Sequence, residues 1–396
     1  MIPQLADVHV LVADDQPDVA RTLCRPVERA GARLHFVDSG TAALQAATGR
    51  PYDLMIVDLK MPPDDWGGLW LLDRLKAEGV RTPALVLSGE GSKEQTIRAT
   101  RLGAVDWVDK DDAGTELLDR CAELHSKCQA QALEEAIWQL PTPLAAQFDR
   151  YRRAADLDRQ VSAGLAALEA VLRFAAVIGL ATTSPAPLAG VTAAQLARPS
   201  MGTWLTVCTR LRTLASAGDE FTRLLACLIP GGTAQPVQEL VNLRNGIAHG
   251  RTTPTAAHAD QLDGLLRRFG ARAAAFWRGG IGVATTMTHD GTAFQAEFDR
   301  LRGTGGPVAF TVATAEPPTT GQVFLLPYAG VPVTLSPWLV AERAPDADAY
   351  HCFQFDGSEA RPTTASPLRY SNAGDPARPT PPPSTATWQA AEPWVQ

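Results

Sequence analysis

Four short apolar runs in the first 110 residues each stop at a polar side chain, and this pattern constrains the fold more than any other feature of the chain. VHVLVA stops at Asp14 and Asp15, LMIV at Asp58, PALVL at Ser88, and VDWV just short of Lys110. Segments of helical character lie between them, the alternation expected of βαβ units around a parallel sheet. In an open α/β sheet the carboxyl ends of the strands gather one site. Two acids, a third acid, a hydroxyl and a lysine are therefore expected to share a pocket.

The expected order is strand 8–13, helix 17–30, strand 33–37, helix 41–47, strand 53–57, helix 68–77, strand 84–87, helix 92–101, strand 105–108 and a helix from about residue 113. Strands as apolar as LMIV and ALVL need helices on both faces. Pro17 suits a first helical turn, whereas Pro26 predicts a kink or an early end to its helix.

These residues resemble the receiver domain of bacterial response regulators, an α/β doubly wound, flavodoxin-like fold. The acidic pair is Asp14 and Asp15, the acceptor Asp58 stands in DLKMP, the switch hydroxyl Ser88 in LSG, and Lys110 follows the aromatic Trp107 by three positions. The resemblance implies phosphorylation of Asp58 by a sensor histidine kinase or a phosphotransfer protein. Clustered carboxylates repel one another, so the set favours a hard divalent cation with oxygen ligands, most simply Mg²⁺. Asp15, Asp58 and the Lys60 carbonyl are expected to bind it directly, and Asp14 through water.

Asp58 then attacks phosphorus, with the metal and the Lys110 ammonium offsetting charge on the transferring oxygens. Ser88 would hydrogen-bond the phosphoryl group, letting Trp107 change rotamer. Two departures sit beside the site. Asp111 follows Lys110 where the family usually has proline, and the loop PPDDWGG is one residue longer than usual.

A chain of 396 residues exceeds a single core, so further domains are expected. The assignment is receiver 1–128, helical linker 129–145, helical domain 146–280, β-rich region 281–371 and disordered tail 372–396. Within the helical part, apolar positions from Leu157 to Ala175 recur at spacings of three and four, and further helices are expected at 201–217, 221–228, 237–249 and 256–277. Thr253 and Pro254 are read as cap and first residue of the last one.

The helix over 237–249 contains Arg244, Asn245 and His249, an R-N-x-x-x-H motif. It resembles that of the HEPN superfamily, helical domains that commonly dimerise and include metal-independent ribonucleases. Asn245 and His249 fall on one helix face, where the amide can orient the imidazole, while Arg244 lies about 140° round the helix from His249. The resemblance implies a homodimer that pools two such sets and cleaves RNA, His249 handling protons and Arg244 stabilising the oxyanion. The alternative is architectural: Arg244 and His249 suit the negative helix end, and the output is dimerisation or partner binding.

Net charge −7, and the absence of a helix-turn-helix with a basic recognition helix after residue 128, argue against a DNA-binding output. Six scattered cysteines without CxxC spacing read as reduced packing residues. No signal peptide is indicated, and the longest apolar stretch, 174–181, is too short to span a bilayer, so a cytoplasmic protein is expected. Beyond residue 281, VAFTVAT, VFLL, VTLSPWLV and YHCFQF predict a small antiparallel sheet. His289, Asp290, His351 and Cys352 have metal-binding side chains but no diagnostic spacing and read as loop positions. The Pro-rich tail from 372 is expected to be disordered, with Trp388 and Trp394 as passing anchors.

Overall fold

A computed structural model describes residues 5–89, 93–328, 330–345, 347–372 and 385–396. The chain forms two compact units, each discontinuous in sequence. The first comprises Met1–Ala132 with Arg267–Trp277, and the second Leu133–Leu266 with Arg278–Gln396.

In the first unit, β1 (His9–Ala13), β2 (Arg33–Val37), β3 (Leu54–Val57), β4 (Ala84–Leu87) and β5 (Ala104–Val108) form a sheet in the order β2-β1-β3-β4-β5. All four pairings are parallel. Alternate strand residues face opposite sides, so two cores form. Leu11, Met55, Val57 and Val86 pack with Leu69, Leu72, Leu75 and Ala99 from α3 (Gly67–Ala77) and α4 (Lys93–Leu102) and with Ala43 and Ala47 of α2 (Gly40–Gly49). Val10, Val12, Ile56 and Leu85 pack with Ala20, Cys24 and Val27 of α1 (Pro17–Arg29) and with Leu117 and Cys121 of α5 (Ala113–Gln139).

The sequence-predicted order of these elements holds. Pro26, however, does not shorten α1, which continues to Arg29. The buried face Ala20, Cys24 and Val27 holds the helix in place of the lost backbone bond. Burial pushes the thiols of Cys24 and Cys121 up to about 12, as suits packing residues.

The segment Arg267–Trp277 was not separable by pattern from the helical domain, yet it belongs to the first unit. Its anchor is Arg272, whose Nε donates to Asp53 Oδ1 at 2.8 Å and whose Nη2 donates to Asp53 Oδ2 at 2.7 Å. The His9 backbone N–H completes the cage at 2.8 Å. Burial alone would raise the Asp53 pKa, but the guanidinium and these hydrogen bonds outweigh it and hold the carboxyl below its usual range.

The second unit holds α6 (Thr142–Arg152), α7 (Leu157–Thr182), α8 (Ala193–Ala197), α9 (Met201–Leu214), α10 (Glu220–Leu228), α11 (Gln235–Ala248) and the start of α12 (Ala256–Phe276). Thr255 rather than Thr253 starts α12: its hydroxyl accepts from the His258 N–H. At 26 residues α7 is long and apolar enough to cross a bilayer, which corrects the length argument made from 174–181. It is a core helix, with Phe174 through Gly179 buried.

The β-rich region is two antiparallel sheets rather than one. The first, in the order β10-β9-β6-β7-β8, contains β6 (Gly280–His289), β7 (Phe294–Arg300), β8 (Val308–Thr314), β9 (Val323–Leu326) and β10 (Val333–Thr334). The second contains β11 (Leu339–Arg343), β12 (Tyr350–Phe355) and β13 (Tyr370–Asn372). His289 ends β6, and His351 and Cys352 lie within β12, the thiol buried, so these three are strand rather than loop residues.

Residues 385–396 depart from the expected disordered tail; 373–384 lie outside the described residues. Trp388 and Trp394 are 2% and 1% exposed and sit in two short 3-10 turns. The terminal strap is held by Leu188 N–H to Trp394 O at 3.0 Å and Gln396 N–H to Val191 O at 3.1 Å. Two buried indoles supply the apolar surface that composition alone did not credit to this stretch.

Arg272→Ala strands a buried carboxylate and is expected to lower stability by about 3–5 kcal/mol in urea unfolding. Because the Asp53 carboxyl is held low in the folded state, the pair's contribution is fully present above the unfolded value, about pH 4. The difference between wild type and Arg272→Ala should shrink as pH falls below that point.

Candidate active site

The carboxyl ends of β1, β3, β4 and β5 deliver Asp14 and Asp15, Asp58, Ser88 and Lys110 to one end of the parallel sheet. Lys110 Nζ donates to Asp58 Oδ2 at 2.8 Å and makes an ion contact with Asp14 Oδ2 at 2.8 Å. Burial raises the Asp14 pKa, with Lys110 and the Gln16 N–H drawing it partly back. Lys110 is itself half-buried, which lowers its pKa, but its bonds to Asp14 and Asp58 prevail and raise it. The ammonium therefore stays charged at neutral pH.

One oxygen from each of Asp14, Asp15 and Asp58 lies within 4.8 Å of the others. Asp14 and Asp58 are buried while Asp15 is exposed, so the group opens to solvent on one side. With all three ionised, three negative charges face one ammonium, an imbalance of two that a divalent cation would cancel. All the donors are carboxylate oxygens, the preference of a hard ion. The acidic set thus fits Mg²⁺, which would supply charge neutralisation to an incoming phosphoryl group.

Ser88 is 1% exposed, and its backbone N–H donates to Val108 O at 3.3 Å, tying the end of β4 to the end of β5. Trp107 is half-buried against the α2–α3–α4 core, one pairing position from that site. Lys60 enters through its backbone N–H, 3.4 Å from Asp58 Oδ1.

Three glycines fix the loop after Asp58. A Cβ at Gly68 would stand 2.2 Å from the Asp58 carbonyl oxygen, and one at Gly67 would stand 2.1 Å from the Met61 oxygen. One at Gly40 would stand 2.7 Å from the Gly67 oxygen. Their amides bond where the side chains cannot fit: Gly68 N–H to Leu59 O at 3.1 Å, Gly67 N–H to Met61 O at 2.9 Å, Gly40 N–H to Pro62 O at 2.8 Å. The only sequence signal was the GG opening α3.

The second set of predicted residues is not assembled in the same way. Arg244 Nε pairs with Glu169 Oε2 on α7 at 3.2 Å. Asn245 and His249 are exposed, and no side-chain hydrogen bond joins them among the described residues. His249 lies one residue past α11 as its C-cap, with φ −96° and ψ 8°, so the expected orientation of the imidazole by the amide does not form. The helix ends there because Gly250 takes φ 65°.

Residues 10–122 match the response regulator receiver domain family. The chain is 32% identical over 134 residues to the transcriptional regulatory protein FixJ of Bradyrhizobium diazoefficiens, a match covering 32% of this chain and 64% of that protein. It is 31% identical over 112 residues to the uncharacterized transcriptional regulatory protein YkoG of Bacillus subtilis, covering 28% and 48%. It is 30% identical over 121 residues to the transcriptional regulatory protein TcrA of Mycobacterium tuberculosis, covering 31% and 47%. The chain thus spans less than two thirds of the length of each of these relatives. A solved receiver domain of the Francisella response regulator 1452 shares 30% identity, covering 31% of this chain and 98% of that one at a TM-score of 0.29.

Gly68→Ala is expected to displace the Asp58 loop and to lower stability by about 1–3 kcal/mol in urea unfolding. Gly49→Ala, with nothing within 4 Å of the added carbon, should be neutral or stabilising. The acids, the lysine, the sheet that carries them and the family match agree: the segment spanning residues 10–122 is a response regulator receiver domain.

Proposed function

We propose that Asp58 accepts a phosphoryl group, from a sensor histidine kinase, a phosphotransfer protein or a small acyl phosphate, in a reaction supported by Mg²⁺. The observation that carries this reading is the Lys110 ammonium held 2.8 Å from carboxylate oxygens of both Asp58 and Asp14. An Asp58 oxygen attacks phosphorus, the bond to the donor's leaving group breaks, and the electron pair departs with that group. Lys110 moves with its charge onto a transferring oxygen, where negative charge accumulates. Asp15, Asp58 and the Lys60 carbonyl are the direct ligands in this reading, with Asp14 acting through water. Ser88 and Trp107 register the product.

With acetyl phosphate and Mg²⁺ the protein is expected to gain the mass of one phosphoryl group, and Asp58→Asn to gain none. Full labelling of Asp58→Asn would identify another acceptor.

For the output we favour altered association of the helical unit over catalysis. What supports this is the use already made of Arg244: it belongs to a chain of ion pairs through Glu169 and Arg173 to Asp356, with distances of 3.2, 3.5 and 3.2 Å. Arg173 also lies over the Trp204 ring. An arginine committed to linking α11 with α7 is poorly placed to stabilise an oxyanion. The exposure of Asn245 and His249 favours the second reading, a HEPN-like ribonuclease. FixJ and TcrA are named as transcriptional regulators, and a role in transcription through a bound partner fits the association reading.

Incubating the labelled protein with RNA separates the two. Association predicts no cleavage above background and no difference in His249→Ala, whereas cleavage lost in both His249→Ala and Arg244→Ala would establish the nuclease.

A further inference from the structure

The segment Arg267–Trp277 grips the first unit at the strand ends opposite the acidic pocket. Asp53, which Arg272 binds through two hydrogen bonds, directly precedes β3, and the other end of β3 leads into Asp58. His9, whose backbone N–H donates to the same carboxylate, opens β1, which leads into Asp14. The Arg81 backbone N–H, just ahead of β4, donates to Ala275 O at 2.9 Å, and β4 leads into Ser88. Arg267 Nη1 donates to the Gln129 carbonyl of α5 at 3.0 Å, fixing the register of the segment from the side. One helical segment therefore holds the starting ends of β3 and β4 directly and that of β1 through Asp53, and the far ends of these strands carry Asp58, Ser88 and Asp14.

We propose that Arg267–Trp277 is a built-in effector element of the receiver, which senses the state of Asp58 through the opposite ends of β1, β3 and β4. This rests on phosphoryl transfer to Asp58 as described above. Each strand is only four or five residues long and buried between two cores, so it moves as a rod of about 13–17 Å rather than bending. A paired guanidinium and carboxylate tolerate little relative displacement, because both bonds depend on one planar alignment. Three donors at 2.7–2.8 Å hold the Asp53 carboxylate. Drawing the far strand ends toward a phosphoryl group displaces the starting ends and loosens this pairing.

The test is hydrogen–deuterium exchange of the full chain with and without acetyl phosphate and Mg²⁺, with phosphoryl uptake followed by mass in the same samples. A coupling of ordinary allosteric size makes amides of 267–277 exchange about five-fold faster or more in the labelled protein. Amides of 201–214 serve as the internal reference and should not change. Replacing the ion pair by apolar side chains, Asp53→Leu with Arg272→Met, should leave uptake intact and abolish the label-dependent difference. Unchanged exchange over 267–277 in protein that has taken up the label overturns the proposal, as does a double variant that labels and still shows the full difference. Protein that takes up no phosphoryl group overturns the Asp58 reading and this proposal with it.

Discussion

A single ammonium makes the acidic end of the sheet tenable. Asp14 and Asp58 are 2% and 4% exposed, and two carboxylates buried side by side call for a counter-charge. Lys110 supplies it from the end of β5, and its own charge is held by the two acids in return. The sheet order places β1 and β3 side by side, with β4 between β3 and the strand that carries the lysine. The parallel topology and the site chemistry are thus one requirement, since the acids reach their lysine only if these strand ends meet.

The same economy governs the opposite end of the sheet with the roles reversed. There the buried acid is Asp53, and its cation, Arg272, arrives from far along the chain. A buried ion pair of this kind adds less net stability than its geometry suggests, because both partners lose water. What it does provide is an anchor: both guanidinium bonds to Asp53 come from Arg272. It defines which stretch of helix belongs to the first unit.

How much of this was legible in the sequence follows from the kind of signal each residue gives. Runs such as LMIV have no stable location except a sheet covered on both faces, and an acid directly after one can only lie at its end, so the sequence alone places Asp58 and its companions. Arg272 could not, because an arginine on an amphipathic helix looks like any solvated charge. Gly67 and Gly68 gave a faint signal, two glycines at a helix start, whose meaning lies in the carbonyls they approach. β6 and β7 escaped notice because TTMTH and FQAEFD mix threonine and acids into the apolar alternation, and the TTMTH half of β6 is exposed on both faces. The R-N-x-x-x-H spacing assumed a helix continuing through His249, and a left-handed Gly250 ended it one residue early.

The division of the first unit into two stretches of chain also sets an order of events during synthesis. Domains usually fold as their residues emerge. Here the five strands are complete by Val108, yet the guanidinium that neutralises Asp53 is not made until the whole helical stretch of the second unit has been translated. Until then the nascent receiver carries a carboxylate beneath its central strand that must stay hydrated or protonated. The last step in closing the first unit thus waits on the chain that builds the second, and the two fold as interleaved tasks rather than in succession.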